Sequence, residues 1–124
     1  MPGSKSQSLA HKLLKGAFLA GLGMVTYLSL KAGTGKHIAG FADKIEHASA
    51  YACLGLIGMS AFRHQELRLA GFLFGWGTLM EIGQRFVPMR SPDFADLVAN
   101  LSGIVLAWLV LRLASILRPT PQPQ

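Results

Sequence analysis

The chain has 124 residues, enough for one compact unit, of which 51% are hydrophobic and only 15% charged, with a mean hydropathy of +0.39. That is too apolar for an ordinary soluble domain of this size, whose surface needs more polar cover. The formal net charge of +6 does not indicate a nucleic-acid partner. The basic residues fall singly between apolar runs, with no basic stripe interleaved with aromatics.

In chain order, the head MPGSKSQS is polar and is expected to be loose, giving a polar segment over 1–12. The first apolar run, about Leu13 to Leu30, is interrupted only by Lys15. A basic start before an apolar stretch also fits a signal peptide. The run ends in LSLKAGTG, with no A-x-A cleavage site, so an uncleaved membrane helix is expected. Lys31 to Lys44 is a Gly-rich loop. Its Gly33-Thr34-Gly35-Lys36 hints at a phosphate loop, but the Walker pattern fails: the required first Gly falls at Leu30, and His37 replaces Ser or Thr.

The second run, about Ile45 to Phe62, holds the lone cysteine, Cys53. It has no partner for an intrachain disulfide and is expected to be a small core residue. His64 to Arg68 reads as a tight polar turn, with His37 and His64 as solvated loop histidines. The third run covers about Leu69 to Val87. Pro88 to Pro92 is a Pro-bounded turn, since each Pro disfavours helix at the residue before it. The fourth run covers about Leu97 to Leu117. The tail RPTPQPQ, 118–124, has Pro at alternate positions and is expected to be extended or disordered.

Each run approaches the ~20 residues that cross ~30 Å of hydrocarbon as a helix. None has a polar face wide enough for a soluble amphipathic helix. Small residues four apart, as in Gly71-xxx-Gly75 and Ala48-xxx-Ala52, permit close helix approach in membranes. The expected fold is all-α: a four-transmembrane-helix bundle over 13–117, made of two helical hairpins with both termini on the same side. Lys and Arg then number seven on the side of the termini (Lys5, Lys12, Lys15, Arg63, Arg68, Arg112, Arg118) and five on the other (Lys31, Lys36, Lys44, Arg85, Arg90). The positive-inside rule places both termini in the cytoplasm by that margin.

Acidic residues divide more sharply. Asp43, Glu46, Glu81, Asp93 and Asp96 lie at the end away from the termini, and only Glu66 lies at the other. Helical spacing groups them. Asp43, His47 and Tyr51 form one stripe at i, i+4, i+8; Glu81 and Gln84 are i, i+3; Asp93, Asp96 and Asn100 are i, i+3, i+7. At 1.5 Å per residue, Glu81 lies roughly 9 Å along its helix from Val87, and Tyr51 roughly 12 Å from Asp43. Ionisable groups at that depth are costly unless paired or facing water, so they are expected to face one another. Arg90 has the geometry to pair with a carboxylate, and His47 to bond Asp43 or Glu81.

Plainer roles compete with these. Asp93 and Asp96 suit the positive end of a helix. Asn100 is able to bond an adjacent helix, and Tyr51 to anchor at an interface. His47 with Glu81, Asp93 and Asp96 offers donors for a divalent ion, but no HExxH or His-rich spacing supports it, and no metal is assigned.

The segments DKIEHASAY, EIGQ and PMRSPDFADLVANLSG together resemble the VanZ-like family of small bacterial membrane proteins, over roughly Asp43 to Ala107. The family's Asp-Lys-x-x-His-x-x-x-Tyr falls on Asp43, Lys44, His47 and Tyr51, its Glu-x-x-Gln on Glu81 and Gln84, and its Arg-x-x-x-x-x-Asp-x-x-x-Asn on Arg90, Asp96 and Asn100. Lys44 joins the candidate site on this ground alone. Met89 departs from a usual Gly, and Ala107 from a further small residue, often Gly.

The resemblance implies a multi-pass protein of the bacterial cytoplasmic (inner) membrane. The family takes its name from a member linked to resistance to the glycopeptide teicoplanin. One reading is a polar pocket on the outer membrane face that binds or acts on a lipid-linked or peptidoglycan-related molecule. There Glu81, His47 and Asp96 are the catalytic candidates, with Lys44 and Arg90 holding an anionic part. Asp43, Tyr51, Gln84, Asp93 and Asn100 complete the ligand-binding set. The alternatives are a non-catalytic protein whose polar stripes lock helix packing and, third, a small oligomeric transporter. No cofactor is implied. The bilayer is the expected partner, and the oligomeric state stays open.

Overall fold

The computed structural model describes residues 2–31, 41–89, 92–120 and 122. The described residues form four helices and no strand: α1 (Pro2–Leu30), α2 (Phe41–Ala61), α3 (Glu66–Gln84) and α4 (Phe94–Leu117). The all-α expectation holds, with revised ends. The head expected to be loose is helical from Pro2 onward. Proline suits a first helical position, and nothing from Ser4 to Lys31 interrupts the helix that follows. Asp43 and Lys44, expected in a loop, lie in the opening of α2. Glu66 and Arg68 belong to α3, so the tight connection is Phe62–Gln65, with His64 in the left-handed region at φ 65°. The Gly33–Lys36 segment and His37 lie outside the described residues.

Contacts between the helices alternate in direction. Phe18 faces Gly58 and Phe62 while Gly21 faces Leu54, so α1 runs antiparallel to α2. Trp76 Nε1 donates to Thr26 Oγ1 at 3.0 Å, and Leu30 packs on Gly83, so α1 and α3 run parallel. Ala48 faces Gly103 and Gly55 faces Ala107, so α2 and α4 also run parallel. The bundle is up–down–up–down. The helix α2 packs against all three others, and the α2–α4 pair is the most extensive; α1 and α4 do not pack on each other among the described residues. The core joins Phe18, Tyr51, Leu54, Met59, Leu69, Leu73 and Ile104.

The α2–α4 pair depends on small residues. A methyl group added at Gly103 would collide with the Ala48 carbonyl oxygen and lie 2.9 Å from the Ala52 nitrogen. These are backbone atoms, which cannot swing aside. Ala107 is fully buried, and its Cβ would lie 2.7 Å from a Cβ added at Gly55. The glycine on α2 thus makes room for an alanine where the family often has Gly. Ala48-xxx-Ala52 is therefore a working close-approach face. Gly71-xxx-Gly75 is not one within this chain, since both positions face open space.

The outer surface is apolar. Leu9, Leu13, Leu19 and Met24 on α1, and Val105, Leu106, Leu109, Leu113 and Ile116 on α4, are exposed. Continuous belts of this kind are rare on soluble monomers. Cys53, expected in the core, is exposed. It sits two residues, about 200° of helix, from both Tyr51 and Gly55, which face inward.

Among the described residues two helices, α1 and α4, are long and apolar enough to cross a membrane. The expectation of four such helices is not met by length and composition. The reason is local: α2 carries Asp43, Lys44, Glu46 and His47, and α3 carries Glu66, Arg68, Glu81 and Gln84. These polar groups lie within stretches of α2 and α3 that would otherwise be apolar enough.

Gly103→Ala is expected to force α2 and α4 apart and destabilise the protein by about 1–3 kcal/mol, the usual cost of overpacking. Gly71→Ala, in open space, is expected to be neutral or to stabilise by up to about 1 kcal/mol through helix propensity. Thermal unfolding of the two variants in detergent checks this; equal shifts would show that the α2–α4 contact does not limit packing.

Candidate functional site

The end of the bundle where α2 and α4 begin and α3 finishes gathers the polar stripes. Asp43 and Lys44 come from the first turn of α2. Glu81 and Gln84 come from the last turn of α3, and Asp93 and Asp96 from the start of α4. The periodicity of three helices brings them together, because each stripe is the inward face of its helix there.

Lys44 holds the centre. Its Nζ donates to Asp93 Oδ2 at 2.8 Å, contacts Asp96 Oδ1, and lies 3.5 Å from Asp43 Oδ2. Asp93 is also the N-cap of α4, its Oδ1 accepting from the Ala95 N–H at 3.0 Å. The helix-end role weighed for Asp93 is therefore present together with a site contact. These two bonds, Lys44's first, hold the Asp93 carboxyl below the usual carboxylate range.

His47 lies deeper. Its Nδ1 is 3.2 Å from Asn100 Oδ1, while its Nε2 faces Asp43 Oδ1 at 3.8 Å and Asp96 Oδ2 at 3.7 Å. The hydrogen bond goes to Asn100, not to Asp43 or Glu81. Asn100 and His47 are both one helical turn further in than Asp96 and Asp43, which puts them at the same depth. Glu81, buried in α3, accepts from the Asp93 backbone N–H at 3.2 Å through Oε2. It ties the end of α3 to the start of α4, and it is not hydrogen-bonded to His47 among the described contacts.

Exposure differs across the cluster. The Asp93 side chain is 54% exposed, Lys44 25%, His47 19% and Asp96 6%. Asn100, Tyr51 and Gln84 are buried. Further in, the Tyr51 hydroxyl and the Asn100 Nδ2, and at the end of α3 the Gln84 side-chain amide, make no hydrogen bond among the described residues. Buried polar groups are almost always satisfied.

Arg90 lies outside the described residues. Met89, before it, adopts the left-handed region at φ 62°. That conformation favours glycine, which gives the family's Gly at this position a physical reason.

Gly77 was not singled out by the sequence reading. A Cβ there would lie 2.8 Å from Asn100 Nδ2 and 3.1 Å from the Tyr51 hydroxyl. Its absence of a side chain makes the space into which both polar groups reach. The signal was present: Gly77, Glu81 and Gln84 are i, i+4, i+7, one stripe of α3.

The family model for VanZ/LLP1 matches residues 4–116. The chain belongs to that family. With α1 and α4, membership points to a membrane protein. No curated protein and no solved structure matches the chain.

Two outcomes follow from the geometry. Asp93→Asn keeps a good helix cap but loses the charge that Lys44 binds, so it is expected to unfold more readily at pH 7. Because the Asp93 pKa is lowered in the folded state, its contribution is complete above the ordinary Asp value of about 3.9 and fades as pH falls through the depressed value. The stability gap between variant and wild type should therefore close in acid, as denaturation followed from pH 7 downward would reveal. Met89→Gly is expected to hold or raise thermal stability, by up to about 1 kcal/mol, by relieving a left-handed methionine.

Proposed function

We propose that this VanZ/LLP1 protein spans the cytoplasmic membrane with all four helices, both termini inside. In this reading the polar end of the bundle is a binding site at the outer face. Its ligand is a cell-envelope molecule, lipid-linked or peptidoglycan-related. The resistance to teicoplanin from which the family takes its name is the phenotype to examine. The apolar exterior and the family support the location.

The observation that carries the site is its unmet groups: Tyr51, Gln84 and Asn100 are buried, yet they present polar atoms with no described protein partner. Polar residues that serve only to lock helices satisfy one another, since a half-satisfied network costs more than an apolar core. Groups left open in a buried stripe are arranged for a guest, water or ligand.

Lys44 takes a different part from the one its charge first suggested. Three aspartates engage it, so it orders the carboxylates and is not free to hold an anion. If chemistry occurs, His47 and Asp96, which face each other across 3.7 Å, are the acid–base candidates. Glu81 positions the loop before α4. That last contact also favours the rival reading, a non-catalytic protein in which Glu81 and Lys44 fasten α4 to α3 and α2.

Tyr51→Phe and Gln84→Leu separate the two. Each removes polar atoms that have no described hydrogen bond, so stability should be kept or raised. A binding site should lose its envelope phenotype, read as glycopeptide susceptibility of expressing cells at equal membrane levels. Retention of the phenotype in both variants would leave the locking role. Location is tested by single cysteines at Thr34, Met89 and Gln65 on a Cys53→Ser background, which the exposed position of Cys53 should tolerate. An impermeant thiol reagent is expected to label Thr34→Cys and Met89→Cys from outside and not Gln65→Cys. The inverse pattern would turn the site toward the cytoplasm.

A further inference from the structure

We infer that Asp43, His47 and Asp96 form a binding site for a divalent first-row transition-metal cation, of the Zn²⁺ or Mn²⁺ kind. The sequence offered His47 with Glu81, Asp93 and Asp96 as donors and no metal was assigned; the structure instead brings Asp43 and Asp96 to His47. Their ligand atoms all lie within 4.8 Å of one another.

Three independent features point to an ion. The first is how the carboxylate oxygens are divided. Asp43 turns Oδ2 and Asp96 turns Oδ1 toward Lys44, while Asp43 Oδ1 and Asp96 Oδ2 face His47 Nε2. Lys44 therefore uses one oxygen of each aspartate and leaves the other pointing at the imidazole. A metal does not need to displace the lysine.

The second is distance. Nε2 lies 3.8 Å and 3.7 Å from the two carboxylate oxygens, too far for hydrogen bonds. Ligands at about 2.0–2.2 Å around a tetrahedral ion stand roughly 3.4 Å apart. A few tenths of an ångström of closure brings the two nitrogen–oxygen separations to that value. His47 Nδ1 faces the Asn100 side-chain oxygen at 3.2 Å. With its proton there, Nε2 presents a lone pair to the gap, the outer-shell arrangement that usually orients a metal-binding histidine. Asn100 is buried, so that orientation is held firmly.

The third is charge. Among the described residues Asp43, Asp93 and Asp96 surround the one ammonium of Lys44, and the buried Glu81 carboxylate bonds the Asp93 backbone beside them. Carboxylates outnumber cations in this part-buried cluster of described residues, and a divalent cation would lessen that excess.

This inference rests on the reading of this end of the bundle as a binding site, and it supplies that site with a chemistry. An ion held by one imidazole and two carboxylates keeps coordination positions open, which suit water or the phosphate oxygens of a lipid-linked molecule. It provides positive charge for an anionic group where Lys44, already neutralised, does not.

The test uses the full chain, untagged so that no added histidines bind metal, purified in detergent and freed of metal with a chelator. Calorimetric titration with Zn²⁺ and with Mn²⁺ is expected to show one saturable ion per chain. His47→Gln and Asp96→Asn should weaken it about 100-fold or more, and Asn100→Ala, which removes the positioning bond, about 10–100-fold. His64→Gln, in the connection at the other end of the bundle, should leave binding as in wild type. Pulsed EPR of the Mn²⁺-loaded wild type should show coupling to one imidazole nitrogen, a readout that does not depend on any variant folding. Absence of saturable binding in wild type would overturn the inference. So would binding that survives in His47→Gln and Asp96→Asn. Neither result bears on the Tyr51→Phe and Gln84→Leu phenotypes, so failure of the metal site and failure of the binding-site reading are separable.

Discussion

The polar end of this bundle depends on the neutralisation of Lys44. An ammonium on the inward face of a helix, only partly in water, draws counter-charges from the protein around it. Asp43 supplies one from the same helix, and Asp93 and Asp96 supply two from α4. The lysine thereby fixes the depth of α4 against α2. Steric contact demands the same register: Gly103 must meet Ala48, and Gly55 must meet Ala107. Sliding α4 by one turn would unpair Lys44 and drive methyl groups into backbone. Charge and packing agree, and consistency of that kind is what lets a sequence specify one arrangement.

Hydropathy follows position in the bundle. The helix α1 lies at its margin with most of its residues exposed, and α4 turns a broad apolar face outward; these are the two helices apolar enough to cross a membrane on their own terms. The helix α2 touches all the others. A helix covered by protein needs less apolar surface for lipid and has faces free for polar groups. The polar site is built where α2 meets α3 and α4, and its acidic groups come from these three helices and the residue that caps α4.

The stripes were legible in the sequence because helical periodicity is local. Asp43–His47–Tyr51 and Asp96–Asn100 lie on one face each whatever surrounds them, and short connections stack those faces at one end. Asp93 as a helix cap was legible for the same reason. Partners across helices were not. His47 had Asp43 within its own helix and Glu81 as a plausible partner; that it bonds Asn100 depends on the depth at which α4 docks, which Gly103 sets. Lys44 looked like the last basic residue of a loop, and only the family pattern drew it into the site. The helical head and the exposed Cys53 were misread because composition reports how apolar a segment is, not which way each position faces.

The distribution of hydrogen bonds within the site argues for its use. At the mouth, Asp93 and Lys44 are partly in water and fully engaged with each other, with the α4 cap and with Glu81 through the Asp93 backbone. One turn deeper, His47 has one nitrogen bonded and the other facing two carboxylate oxygens without a hydrogen bond. At the same depth Asn100, and one turn deeper Tyr51, turn polar atoms toward the space beside Gly77. A network made only to hold helices together would be satisfied most completely where it is most buried, since that is where an unmet hydrogen bond costs most. Here Tyr51, Asn100 and Gln84, all buried, keep polar atoms unmet among the described residues. In the proposed reading the lysine–aspartate cluster secures the frame, and a bound ion or ligand completes the unmet groups.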